Sequence, residues 1–316
     1  LQENKMDILN ILLIIAGLCV FEVVSSIDNA IINADVLKTM KPRARKWFLF
    51  YGLIFAVFVV RGLLPWLIVW LSTPGIGPIN ALIATFSGDP AVMDAVEKSA
   101  PILLMGGGVY LIFLFLHWWF MEPKKVGLIG EKFAHSNGIW FYSVVSGILA
   151  FIVWYSIKIN PFMAFAAVVG STAFFITHGF KQNAEFQEIK MKKKGSMTDV
   201  SKIMYLEVID TTFSIDGVLG AFAFTMSVPL IIIGNGLGAL IVRTLTVKGI
   251  NVIKKYAFLK NGAMYSIYAL GIIMLLDSFG LVIPSFVSPI VTFAIVGYFF
   301  WKSKQITVKD FVEELN

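Results

Sequence analysis

The sequence predicts an all-α, polytopic transmembrane helical protein. Three observations carry that reading. Hydrophobic residues make up 58% of the 316 residues and charged residues only 15%, with a mean hydropathy of +0.81, a balance a soluble domain does not place on its surface. Apolar runs divide the chain into about nine stretches near the roughly 20 residues needed to cross the hydrocarbon. Lys and Arg then fall between alternate runs, as the positive-inside rule requires of a membrane protein.

The spans are expected near 8–37, 47–71, 102–121, 139–157, 161–178, 203–227, 229–247, 262–278 and 281–301. The first is too long for a straight crossing and carries Glu22, Asn29, Asn33 and Asp35, so it tilts, breaks or emerges from the bilayer. Lys5 is the only positive charge ahead of it and no small-residue cleavage site follows, so the span is expected to stay in place. Segment 72–101, with Pro74, Pro78, Pro90 and Pro101 around an apolar stretch, reads as an outer lid or a re-entrant piece. Between the fourth and fifth spans Lys158, Asn160 and Pro161 are the only punctuation, which predicts a tight helical hairpin.

Segments 38–46, 122–138, 179–202, 248–261 and 302–316 hold 5, 3, 6, 4 and 3 basic residues, 21 together, whereas the opposite set holds Lys5, Lys98 and Lys158. This asymmetry predicts the N-terminus outside and the C-terminus in the cytoplasm of a bacterial cytoplasmic membrane, with the odd number of spans in agreement. The net charge of +6 is thereby a topology signal plus attraction to anionic membrane lipid and calls for no nucleic acid. Cys19 is the single cysteine, which leaves neither a disulfide nor a cysteine-based zinc site within one chain.

Twice, an acidic residue is followed by three spacers and Ser-Ile-Asp: Glu22-Val-Val-Ser-Ser26-Ile-Asp28 and Asp210-Thr-Thr-Phe-Ser214-Ile-Asp216. Each carboxylate inside a span costs about 2.5 to 3.5 kcal/mol on insertion scales, so intramembrane acids point to function. One span after each motif, Gly52 precedes Arg61 and Gly234 precedes Arg243 by nine residues; Gly108-Val-Tyr110 and Gly262-Ala-Met-Tyr265 open the next spans. The counterpart of the first acidic helix lies five spans further on, in the sixth, so the two cross in opposite directions, as in inverted-repeat transporters. The expected organisation is a first repeat at 1–121, an inserted helical hairpin and basic loop at 122–202, and a second inverted repeat with a final span at 203–316.

At about 100° per residue, Glu22, Ser25, Ser26, Asn29 and Asn33 share one stripe, and Glu207, Asp210, Ser214 and Gly217 share another; both are expected to face inward. Asp28 and Asp216 lie roughly 120° off those stripes in an ideal helix, so they reach a common site through a helix break or form two flanking sites. Unwinding is expected near Ser26–Asn29 and Ser214–Gly217. The ligand set of carboxylate, amide and hydroxyl oxygens suits hard divalent cations, Mn²⁺, Ca²⁺ or Mg²⁺. Facing carboxylates repel one another when empty, which makes protons the natural counter-ion of such a site.

Glu22 with Asp28-Asn29-Ala30, and Glu207-Val-Ile-Asp210-Thr-Thr-Phe213-Ser214-Ile-Asp216, resemble the two signature motifs of the TerC family of integral membrane proteins, named for tellurium resistance. Arg61 and Phe258-Leu-Lys260 extend the resemblance over spans one to three and six to eight. The resemblance implies a manganese exporter within a larger grouping of cation and amino-acid exporters, a transporter rather than an enzyme. It implies no bound cofactor; the cation, Mn²⁺ with Ca²⁺ as the alternative, is the cargo. By the same resemblance, Glu22, Asp28, Asn29, Glu207, Asp210 and Asp216 line the ion path.

Competing accounts exist for the same residues. The older tellurite naming suggests a scaffold in an envelope stress complex, for which the run Lys192-Lys193-Lys194 offers a docking loop. Two membrane aspartates also suggest an intramembrane aspartyl protease, but the Gly-x-Gly-Asp setting of those enzymes is missing. Arg61 is placed to pair with an acid, whereas Arg243 is expected to snorkel from a helix end. His117 and His178 fall near predicted interfaces, where histidines need no function, and Trp66, Trp118 and Trp119 read as interface belts.

Overall fold

The computed structural model describes residues 8–52, 54–73, 75–87, 90–124, 127–194, 198–248 and 256–313. Among them every regular element is helical. The first predicted span is a broken rod, α1 (Ile8–Ser25) and α2 (Ile27–Lys38), hinged at Ser26. Helix α3 (Pro42–Trp47) begins with Pro at its first position, where the missing N–H costs nothing. It leads through two π turns, Phe48–Gly52 and Phe55–Val60, into α4 (Arg61–Ser72). Next come α5 (Pro78–Ser87) and α6 (Pro90–Met121), then α7 (Ile129–Ser136), α8 (Phe141–Ser156) and α9 (Pro161–Lys194). The chain closes with α10 (Asp199–Ala221), α11 (Val228–Lys248), α12 (Leu259–Ser278) and α13 (Val287–Glu313).

Each of the nine expected spans falls on helix. Six of them, on α1, α6, α8, α9, α11 and α12, are by themselves long and apolar enough to cross a membrane. The other three are carried by the π turns with α4, by the acid-bearing α10, and by α13. The chain is an integral membrane protein. Exposed Phe151, Phe165, Ile176 and Trp154 on α8 and α9 fit this setting, since in a bilayer the outward face is the apolar one.

The described part of segment 72–101, expected as an outer lid or a re-entrant piece, holds α5 and the start of α6. The ten-residue α5 packs on α4 and α6, tied by the Trp66 indole N–H to the Pro78 carbonyl at 2.9 Å. Pro101 does not end α6, which runs for 32 residues. Proline removes one backbone bond, and packing of α6 against α9 and α12 keeps the helix in place. The hairpin between α8 and α9 is as tight as expected, with the Asn160 side chain accepting from the Phe162 amide at 2.9 Å.

The core lies along α6, which α9 flanks on one side and α12 on the other; α1 packs along α11. Small residues set the α6–α9 spacing: a Cβ on Gly170 would strike the Gly106 carbonyl oxygen, so the two backbones approach as closely as the chain allows. Trp118 is in this core, not in an interface belt, because Tyr265 and Phe115 pack against it.

Candidate functional site: two charged clusters between the helices

The stripe of α1 and α2 meets the stripe of α10. Glu22, Ser26, Asn29 and Asn33 are buried, as are Asp210, Ser214 and Gly217. Glu22 sits where both neighbours are glycine: a Cβ on Gly217 would lie 2.6 Å from Glu22 Oε2, and one on Gly238 2.6 Å from its Cβ. One Glu22 oxygen accepts from Arg61 Nη2 and from Ser26 Oγ at 3.0 Å. Arg61 is aimed by the π turn before it, since the Ala56 carbonyl accepts both the Arg61 backbone N–H and, at 3.1 Å, its Nη1. Asn29 Nδ2 donates to Asp210 Oδ1 at 2.5 Å.

Glu207 and Arg243 complete this inner cluster. Gly52 leaves room for the Glu207 carboxylate and the Arg243 guanidinium beside it, and the guanidinium lies 4.1 Å over the Phe48 ring. Arg243 is 8% exposed and does not snorkel; Phe48 and the neighbouring acids hold it inside. Both Glu207 oxygens and both Arg243 terminal nitrogens are buried without a hydrogen-bond partner. Asp210, Arg61, Arg243, Ser26 and Asn33 line a water-sized void of about 10 Å³, and the Asn33 Oδ1 is also unpartnered.

Asp28 and Asp216 are not in this cluster. They line a separate cavity of about 540 Å³ between α1–α2, α6, α9, α10 and α12, so the geometry realises two flanking sites. Asp216 Oδ2 pairs with Lys181 Nζ at 2.5 Å, both side chains 11% exposed. Its Oδ1 accepts from the Tyr110 hydroxyl at 2.5 Å, and the same hydroxyl lies 3.0 Å from Thr177 Oγ1. Asp28 pairs with Lys260 at 2.9 Å, and Lys260 turns its ammonium to Glu122 at 2.6 Å. This triad is the solvent-reachable part, with side chains 38 to 41% exposed.

The expected facing carboxylates are thus interleaved with cations. Each cluster holds three acids against two bases: Glu22, Glu207 and Asp210 with Arg61 and Arg243, then Asp28, Glu122 and Asp216 with Lys181 and Lys260. Among the described residues, no group of three or more acidic, His or Cys side chains closes around one metal position. The expected unwinding is reduced to one residue of the first motif: Ile27–Asn29 are helical, and the Ser26 N–H to Glu22 carbonyl and Ala30 N–H to Ser26 carbonyl bonds are kept at 3.1 and 2.9 Å. There Ser26 has φ −90° and ψ 6°, whereas α10 runs unbroken through Ser214–Gly217. Ser214 Oγ bonds back to the Asp210 carbonyl at 2.6 Å, which satisfies its hydroxyl without opening the turn.

The hairpin expected as an insertion contributes directly to the cavity. Lys181, Thr177 and His178 all come from α9. His117 and His178 are not isolated at interfaces; their ring centroids lie 3.8 Å apart beside the same cavity. The basic loop at Lys192–Lys194 closes α9, and those side chains lie outside the described residues.

Fold and site together define a polytopic helical membrane protein with paired acid–base clusters inside the bundle. Residues 27–308 match the DUF475 family, whose description is a protein of unknown function, and the chain belongs to that family. No curated protein and no solved structure matches it.

Proposed function

We propose that this protein is a secondary transporter of divalent cations, with Mn²⁺ as the cargo and export as the direction that the TerC resemblance implies, and protons as counter-ion. The observation that carries the reading is the cavity of about 540 Å³ in which Asp28 and Asp216, from the two related motifs, are each held by a lysine. With three carboxylates against two ammonium groups the cavity favours a cation. On the positive-inside reading of the basic loops, its mouth, the Asp28–Lys260–Glu122 triad, faces the cytoplasm of a bacterial cell and the N-terminus lies outside.

Lysine on each aspartate supplies the coupling. Lys181 stands on Asp216 where a cation binds, so an arriving M²⁺ competes with the ammonium for the same carboxylate. The ammonium and the metal exclude each other, which is the condition for exchange. The break at Ser26 lies between Glu22 of the inner cluster and Asp28 of the large cavity and gives the first motif a hinge. Asp216 has each of its oxygens engaged, by Tyr110 and by Lys181, which supports transport over an aspartyl dyad sharing one proton.

The test is uptake of Mn²⁺ against Ca²⁺ and Mg²⁺ into proteoliposomes under an imposed pH gradient, with the native chain, Asp28→Asn and Asp216→Asn. Flux that needs both aspartates and follows the gradient is expected. Cation flux that well-folded variants retain, or none in the native protein, overturns the reading.

A further inference from the structure

His117 on α6 and His178 on α9 meet at 3.8 Å between ring centroids, with planes 50° apart. They come from helices locked together by the Gly106–Gly170 contact, so the approach is a property of the packing. Phe174 stacks on His178 at 5.7 Å and 14°, and Phe141 meets His117 edge-on at 5.3 Å. Aromatic walls thus fix both rings on one side, while the other side lines the cavity that holds Asp28 and Asp216. His178 Nε2 is buried with no hydrogen-bond partner, an unspent polar atom of the kind that calls for a ligand or water.

We infer that His117 and His178 form a two-imidazole binding site for borderline transition cations, Fe²⁺, Co²⁺ or Zn²⁺, within the cavity, its remaining positions filled by water and cavity oxygens. Two protonated rings at this separation, with Lys181 on the same cavity, repel each other strongly, and the neutral imidazole is the form that carries a metal-binding lone pair. Nitrogen ligands discriminate against Ca²⁺ and Mg²⁺, which oxygen ligands alone do not. A set of only two protein ligands suits a cation in passage, which has to leave. The site rests on the transport reading for its purpose but not for its existence.

The experiment is Co²⁺ titration of the purified full chain, followed by calorimetry and by the visible absorption of nitrogen-bound Co²⁺, beside a Ca²⁺ titration. His117→Gln and His178→Gln are each expected to weaken Co²⁺ by about tenfold or more and to leave Ca²⁺ unchanged. If a variant fails to fold, the native protein answers instead. The chain has three histidines, and Co²⁺ is expected to protect His117 and His178 from carbethoxylation while exposed His135 reacts. No Co²⁺ binding, binding indifferent to both rings, or equal reactivity of all three histidines overturns the inference. Metal flux in proteoliposomes is measured separately. Histidine-dependent binding without flux defeats the transport reading and leaves the site standing, and flux with histidine-independent binding does the reverse.

Discussion

Lys181 and Asp216, 35 positions apart in the chain and on successive helices, form an ion pair of 2.5 Å inside the helix bundle, with each side chain 11% exposed. A pair this deep loses more from removal of one partner than it contributes as a whole, because the survivor is left charged in a poor solvent. Lys181→Met is expected to destabilise the protein by about 3 to 5 kcal/mol, and the double variant with Asp216→Asn to recover a large part of that. Thermal unfolding of the two single variants and the double one, in the same detergent, checks it. Additive losses mean the pair is not coupled.

Tyr110 tests the other oxygen of the same carboxylate. Its hydroxyl donates to Asp216 Oδ1 at 2.5 Å, and a hydrogen bond to a charged group contributes about 1.5 to 3 kcal/mol. Tyr110→Phe keeps the ring, which packs against Phe174, and removes the hydroxyl that donates to Asp216 and meets Thr177. A stability loss of that size in chemical unfolding is expected, together with slower cation flux; a variant as stable as the native chain contradicts the geometry.

The glycines give a prediction independent of charge. A Cβ at Gly170 meets the backbone of α6 at Gly106, whereas one at Gly147 meets nothing within 4 Å. Gly170→Ala is expected to cost about 1 to 3 kcal/mol through overpacking. Gly147→Ala is expected to stabilise α8 by roughly 0.5 to 1 kcal/mol. The two variants should shift the unfolding temperature in opposite directions.

Much of this arrangement was legible in the sequence. The 100° stripe reading put Glu22, Asn29 and Asn33 on the inward face with Asp210 opposite, and the offset of Asp28 and Asp216 from those stripes separated the two sites. Arg61 was readable as an acid's partner because few explanations exist for a guanidinium deep in an apolar run. Lys181 was not. It lies at the end of its span within a basic segment, where a topology charge and a site residue look alike. A signal was present nonetheless: Gly170, Phe174, Thr177 and Lys181 recur at helical spacing, so one face of α9 runs from close packing into polar chemistry. The continuity of α10 was missed for a different reason. Ser and Gly beside an acid permit unwinding, but the Ser214 bond to the Asp210 carbonyl and the fit of Gly217 against Glu22 use the same residues to keep the helix closed.

Lys124, in the segment between α6 and α7, gives a pH dependence outside the membrane-spanning helices. Its ammonium lies 3.7 Å over the Trp118 ring and donates to the Trp118 carbonyl. Burial, the largest influence, pushes its pKa down from 10.5 to about 8, with Glu122 and Glu131 acting in the opposite sense and Lys260 adding to the depression. A lysine whose folded pKa lies below its unfolded one binds fewer protons in the folded chain between those two values. Stability therefore rises with pH from about 8 to about 10.5, and below about 8 the cost of keeping the ammonium buried is present in full. Unfolding temperature measured across that range is expected to climb for the native protein relative to Lys124→Met, in which this contribution is gone. If the two chains follow parallel curves, Lys124 keeps its ordinary affinity for the proton and its burial against Trp118 carries no electrostatic cost.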